Sequence, residues 1–166
     1  MTSWMSSAMR LQVFALSLAL SINPVSASQP AAQDTNAQRV HQAFSNWQQG
    51  TGTVFDLLAP DALWTVAGSS PVSGVYRSKT DLLDKAVRPI TARLATPIVP
   101  TVQSIVAQDD VVVVLWSGKA TALDQQPYNN TYLWHMTFKD GQIRAVTALL
   151  DTYVLDDLMR RVTPAR

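Results

Sequence analysis

The chain has 166 residues and a formal net charge of +1 from 13 basic and 12 acidic side chains, with no Cys. All 12 acids are Asp, and His occurs only at His41 and His135. These absences exclude thiol nucleophiles, disulfide frameworks, Cys- or His-rich metal sites, Glu-based zinc proteases and Glu glycosidase pairs, so no metal or cofactor is expected and any carboxylate chemistry must come from Asp.

A hydrophobic fraction of 47% and a charged fraction of 15% describe one ordinary globular domain. No Lys/Arg block is present, so no nucleic-acid partner is expected. Residues 1–27 read as a secretory signal. Arg10 ends a short leader, Leu11 to Leu20 is apolar, and Val25-x-Ala27 precedes the cleavage point. That apolar run is too short to span a bilayer, so no stable membrane anchor is expected and the mature chain is exported, periplasmic or secreted.

Residues 28–35 read as a flexible arm. Asp34 or Thr35 caps a helix to about Gln49, whose Val40, Ala43, Phe44 and Trp47 share one face, with His41 at its margin. A short helix over Thr53 to Leu58 is stopped by Ala59-Pro60-Asp61, and Ala62 to Val66 is a strand. After a turn-rich loop, Ser78 or Thr80 caps a third helix over Lys79 to Val87. Strands follow at Thr101 to Ala107, Val111 to Thr121, Asn129 to Lys139 and Gln142 to Thr152, then a helical turn over Leu155 to Arg161. The predicted fold is α+β, a cone-shaped curved antiparallel sheet with three helices in the N-terminal half. The domain runs over residues 36–162, with 163–166 as a tail.

Asp140-Gly141 is a strong two-residue hairpin signal. It pairs Lys139 with Gln142, Phe138 with Ile143, Met136 with Ala145, Trp134 with Thr147, Tyr132 with Leu149 and Asn130 with Asp151. Alternation puts this bulky set on the core or pocket side, and His135, Leu133, Arg144 and Val146 on the other. Asp151 then becomes a candidate general base at the mouth of an apolar cavity, oriented by Asn130 and Tyr132. The competing reading is that Asp151 ends the strand and caps the following turn in solvent. A single bulge would move it to the other face. Phe44, Trp47, Trp64, Tyr76, Trp116, Trp134 and Met136 are the candidate walls of a substrate pocket.

The run Phe55-Asp56-Leu57-Leu58-Ala59-Pro60-Asp61-Ala62-Leu63-Trp64, the segments Pro71-x-x-Gly74-Val75-Tyr76 and Tyr128-Asn129-Asn130-Thr131-Tyr132, and Leu149-Leu150-Asp151-Thr152 resemble SnoaL-like proteins. These belong to the superfamily of nuclear transport factor 2, ketosteroid isomerase and polyketide cyclases. The resemblance covers about Asn36 to Met159. It implies a curved sheet closed by three helices around a pocket, and a homodimer through the outer sheet face. It does not carry steroid isomerisation: Ala43 stands where the isomerase has its catalytic Tyr, Thr65 where it has its base and Trp134 where it has its second acid. Many SnoaL-like sequences read Glu-Tyr-x-Asp where this chain has Ala148-Leu149-Leu150-Asp151. The expected function is binding of a small apolar molecule, with acid–base isomerisation, cyclisation or hydration by Asp151 as one possibility and a non-catalytic binding or dimerisation module as the alternative.

Overall fold

The computed structural model describes residues 30–164, with side chains from residue 35 onward. The expected leader lies outside the described residues. Helix α1 (Pro30–Gln49) begins at Pro30 rather than after Asp34 or Thr35, so the described part of the expected arm is helical. Its Val40, Ala43 and Phe44 are buried, and it packs on strands β3 (Val99–Gln108) and β4 (Val111–Thr121). Gly50, at φ 73°, ends it. A 3-10 turn (Val54–Leu57) follows, closed by a reciprocal capping box between Thr53 and Asp56.

The architecture is α+β: a six-stranded sheet in the order β2-β1-β6-β5-β4-β3, with helices covering its inner face. It uses β1 (Leu58–Val66), β2 (Gly74–Tyr76), β5 (Pro127–Lys139) and β6 (Gln142–Leu150) in addition. One pair departs from the antiparallel expectation: β1 runs parallel to β6. Strands joined through the rest of the domain need no hairpin and are free to align this way. Irregularities in β1, β3 and the β5–β6 pair bend the sheet.

Two local expectations change. Ala59-Pro60-Asp61 does not stop a helix; it lies inside β1, where the register shifts between Leu58 and Leu63. Pro60 has no N–H for the ladder, and the irregularity accommodates it. The helix at 79–87 continues through Pro89, as α2 (Lys79–Leu82), a π-helical turn (Leu83–Val87) and α3 (Arg88–Thr91). Arg88 N–H bonds back to the Leu83 carbonyl, five residues earlier. That wide turn precedes Pro89, whose missing N–H and bulky ring a regular helix would not accept.

The hairpin opens as predicted. Lys139 pairs with Gln142 and Phe138 with Ile143, with Asp140 and Gly141 at φ 53° and 75°. Then Thr137 pairs with Ala145, leaving Arg144 as an extra residue, and the shifted register runs on to Tyr132 opposite Leu150. The bulge reverses the faces of β6. Val146 and Ala148 are buried, whereas Thr147 and Leu149, expected inside, are exposed. β5 keeps its predicted faces: Asn130, Tyr132, Trp134, Met136 and Phe138 are buried, and His135 is exposed. The displaced Arg144 reaches the Asp61 carboxylate at 2.8 Å, tying the two irregular segments together.

Candidate functional site

The inner face of β5 sets the site. Alternation aims Tyr128, Asn130, Tyr132 and Trp134 to one side, where β4 adds Trp116 and β1 adds Trp64. Helix α1 and the 3-10 turn contribute Trp47 and Phe55. The rings pack edge to face and stacked. Trp64 and Trp134 lie 4.9 Å apart at 82°, and Trp116 and Trp134 4.8 Å apart at 75°. Trp116 stacks on Tyr132 at 4.0 Å and 9°. These are the favoured quadrupole geometries, and they fix the wall. Gly118 makes room for it: a Cβ there would meet Ile98 at 2.8 Å and Trp116 at 3.1 Å.

Beside this wall lies a cavity of about 380 Å³. Trp47, Trp64, Tyr76, Trp116, Tyr132 and Trp134 line it. Phe44 and Met136 do not; both are sealed in the core behind the wall, 2% and 0% exposed. Sequence reasoning missed the opposite side, made by Val72 and Ser73 of the loop after β1, by Lys85, Ala86, Val87 and Ile90, and by Leu155 and Met159. The three consecutive residues 85–87 lie in the π-helical turn.

Asp151 does not line the cavity. It is exposed, and its carboxylate accepts hydrogen bonds from the N–H groups of Tyr153 (3.0 Å) and Val154 (3.2 Å), capping helix α4 (Thr152–Arg161). The expected general-base position is therefore corrected: the bulge at Arg144 turns the end of β6, and the carboxylate is committed to the helix N-terminus. Asn130 does meet Asp151, but at its backbone. The side-chain amide donates to the Asp151 carbonyl at 2.9 Å and accepts from its N–H at 3.1 Å. Asn130 thus fixes where α4 starts, and α4 supplies Leu155 and Met159 to the cavity.

Three tyrosines line the cavity, with Thr53, Ser73, Lys85 and Thr91 as its other polar side chains. The Tyr128 and Tyr132 hydroxyls are 2.9 Å apart, and Asn130 Nδ2 donates to the Tyr128 hydroxyl at 3.4 Å. Burial pushes the Tyr132 hydroxyl well above the ordinary phenol range and raises that of Tyr128 as well. Both stay neutral at ordinary pH. Two hydroxyl hydrogens share one internal bond, so one hydrogen remains for an outside acceptor whichever tyrosine donates. Tyr76 is raised by burial and by the nearby Asp81 charge. Among the described residues, Lys85 is the one charged side chain lining the cavity; no Asp or His lines it. Among the described residues no group of three His or Asp side chains is placed to hold a metal.

Residues 37–146 match the SnoaL-like domain family. The chain belongs to that family. No curated protein sequence matches the chain. Solved structures similar to this SnoaL-like chain include a nuclear transport factor 2-like protein of unknown function from Burkholderia pseudomallei K96243, with a TM-score of 0.63 and 19% identity over 76% of this chain and 98% of that one. Another is TerC, crystallised with polyporic acid, with a TM-score of 0.61 and 15% identity over 75% of this chain and 98% of that one. A third is a candidate SnoaL-like polyketide cyclase from Jannaschia sp. CCS1, with a TM-score of 0.61 and 11% identity over 81% and 97%. At these identities the likeness is one of fold.

Proposed function

We propose that this SnoaL-like domain is a binding module for a small, ring-containing, largely apolar molecule that offers a hydrogen-bond acceptor. The observation that carries the reading is the tryptophan-walled cavity of about 380 Å³ with a neutral tyrosine pair in its lining. Its size and apolar, sparsely polar lining are those of small-molecule sites. Flat rings stack on indoles, and the spare phenolic hydrogen meets a carbonyl or ether oxygen. TerC, a fold neighbour, was co-crystallised with polyporic acid, which makes that compound the first to try. General-base catalysis by Asp151 is not part of the proposal, because its carboxylate caps α4.

Mass spectrometry of small molecules co-purifying with the mature protein tests the reading, followed by titration of the compounds found. Recovery of a ring compound that quenches tryptophan emission supports it. A chain that binds none of a broad panel of ring compounds would falsify it. Asp151→Asn is expected to bind such a compound as the wild type does.

Two further parts of the reading concern setting. Export by the residue 1–27 leader would place the domain outside the cytoplasm, and a mature N-terminus at Ser28 in the secreted protein would support it. Pairing of two copies through the outer sheet face is supported by its weakly charged surface, where Leu115, Leu133 and Leu149 form one cross-strand row.

A further inference from the structure

The cavity carries its two polar ends in different places. Tyr128 and Tyr132 lie on β5, whereas Tyr76 lies on the edge strand β2. In the strand order these are three spacings apart, roughly 14 Å at the backbone. Lys85 follows directly on α2, which packs beside β1 and β2, and its ion-pair partner Asp81 lies near Tyr76, so it belongs to the Tyr76 end. Its side chain is 72% exposed, which places that end at the rim.

Charge at the rim has one sign toward the cavity. Lys85 lines it, whereas its partner Asp81, at 2.5 Å, does not. Asp81 has a second anchor, the Arg77 backbone N–H at 3.0 Å. If Lys85 swings toward a ligand, the Asp81 carboxylate keeps that bond and stays at the surface. Lys85 is therefore exchangeable at little cost, since solvent screens exposed pairs of this kind. A cationic ligand would meet Lys85 as a like charge. A fully neutral one would leave it unused.

We infer that the cavity takes an organic anion: an aromatic body against the tryptophans, an acidic group on Lys85 at the rim, and a neutral oxygen at the Tyr128–Tyr132 pair. This rests on the binding reading above and specifies its ligand class.

Two probes sharing one ring system separate the ideas: 8-anilinonaphthalene-1-sulfonate, an anion, and the uncharged N-phenyl-1-naphthylamine. Trp47, Trp64, Trp116 and Trp134 all line the cavity, so energy transfer from tryptophan to the naphthyl group reports binding at or near it. Lys85→Met should weaken the sulfonate about 3- to 5-fold, the size of one exposed charge pair, and leave the neutral probe within about twofold. Asp81→Asn should strengthen the sulfonate by a similar factor, and added salt should shrink both effects. Lys85 is exposed and the Asp81 side chain is 22% exposed, and circular dichroism checks that both variants fold. If Lys85→Met moves the two probes equally, or moves neither, the anion assignment is overturned while cavity binding stands. If neither probe receives energy from the wild-type tryptophans, the binding reading itself falls, and the anion assignment with it.

Discussion

Asn130 still holds Asp151, but by its backbone, and the Asp151 carboxylate caps α4. Asn130 is 5% exposed and spends its amide on the Asp151 backbone and the Tyr128 hydroxyl. Asn130→Ala leaves the partly buried N–H and C=O of Asp151 without this partner, so it should cost roughly 1–3 kcal/mol in denaturant melts. It should also loosen probe binding, because α4 loses its anchor. Asp151→Ala removes only a helix cap and should cost about 1 kcal/mol, with probe affinity unchanged. The tyrosine pair predicts a pH effect with a definite sign. Folded Tyr128 and Tyr132 have raised pKa values, so the unfolded chain ionises first. Their stabilisation is complete below the unfolded pKa of about 10 and is lost as pH rises from there toward the folded values, at up to about 1.4 kcal/mol per pH unit per group. Tyr132→Phe should flatten that alkaline slope in urea melts at pH 9 to 11.

At the level of elements, one residue decides the site. Arg144 is the extra residue that lets Val146 and Ala148 face inward. Deleting it should force β6 toward the uninterrupted register, turning Thr147 and Leu149 into the core and Val146 and Ala148 out of it. The expected result is loss of several kcal/mol, or failure to fold, read by thermal denaturation. Arg144→Ala keeps the count and should cost much less, because it loses the ion pair with Asp61 and the packing of a partly buried stem but not the extra residue. A similar cost for the two variants would show that the bulge does not set the register. The hairpin turn itself was legible, because Asp140-Gly141 states its turn type locally. The bulge was not, since it depends on β1, more than 80 positions away, whose Pro60 disrupts the adjoining ladder.

The whole molecule is a sheet with two unlike faces. The inner face holds the aromatic wall, and the outer face carries Val75, Leu133 and Leu149 at 49%, 37% and 49% exposure. Isolated exposed apolar residues are ordinary, but these lie on a face with few charges. The mature chain should sediment as a dimer, and Leu133→Lys with Leu149→Lys should convert it to a folded monomer. A monomeric wild type at all accessible concentrations excludes that pairing. Tyr132 and the cavity lie on the other face, so the double variant should keep its probe affinity.

The sequence by itself determined the fold class, the four long strands in outline and the hairpin turn, but not the edge strand β2 or the first half of β1. Each of these is written in local periodicity, turn chemistry or composition. It also determined that only Asp could supply a carboxylate. Where that carboxylate went was decided by tertiary structure. A bulge accommodated against a distant proline turned the end of β6, and the free N–H groups of α4 took the one acid that pairing had aimed at the pocket. The far wall of the cavity was hidden for the same reason. Its residues come from a π-helical turn, a loop and the last helix, and only packing brings those three segments to one surface.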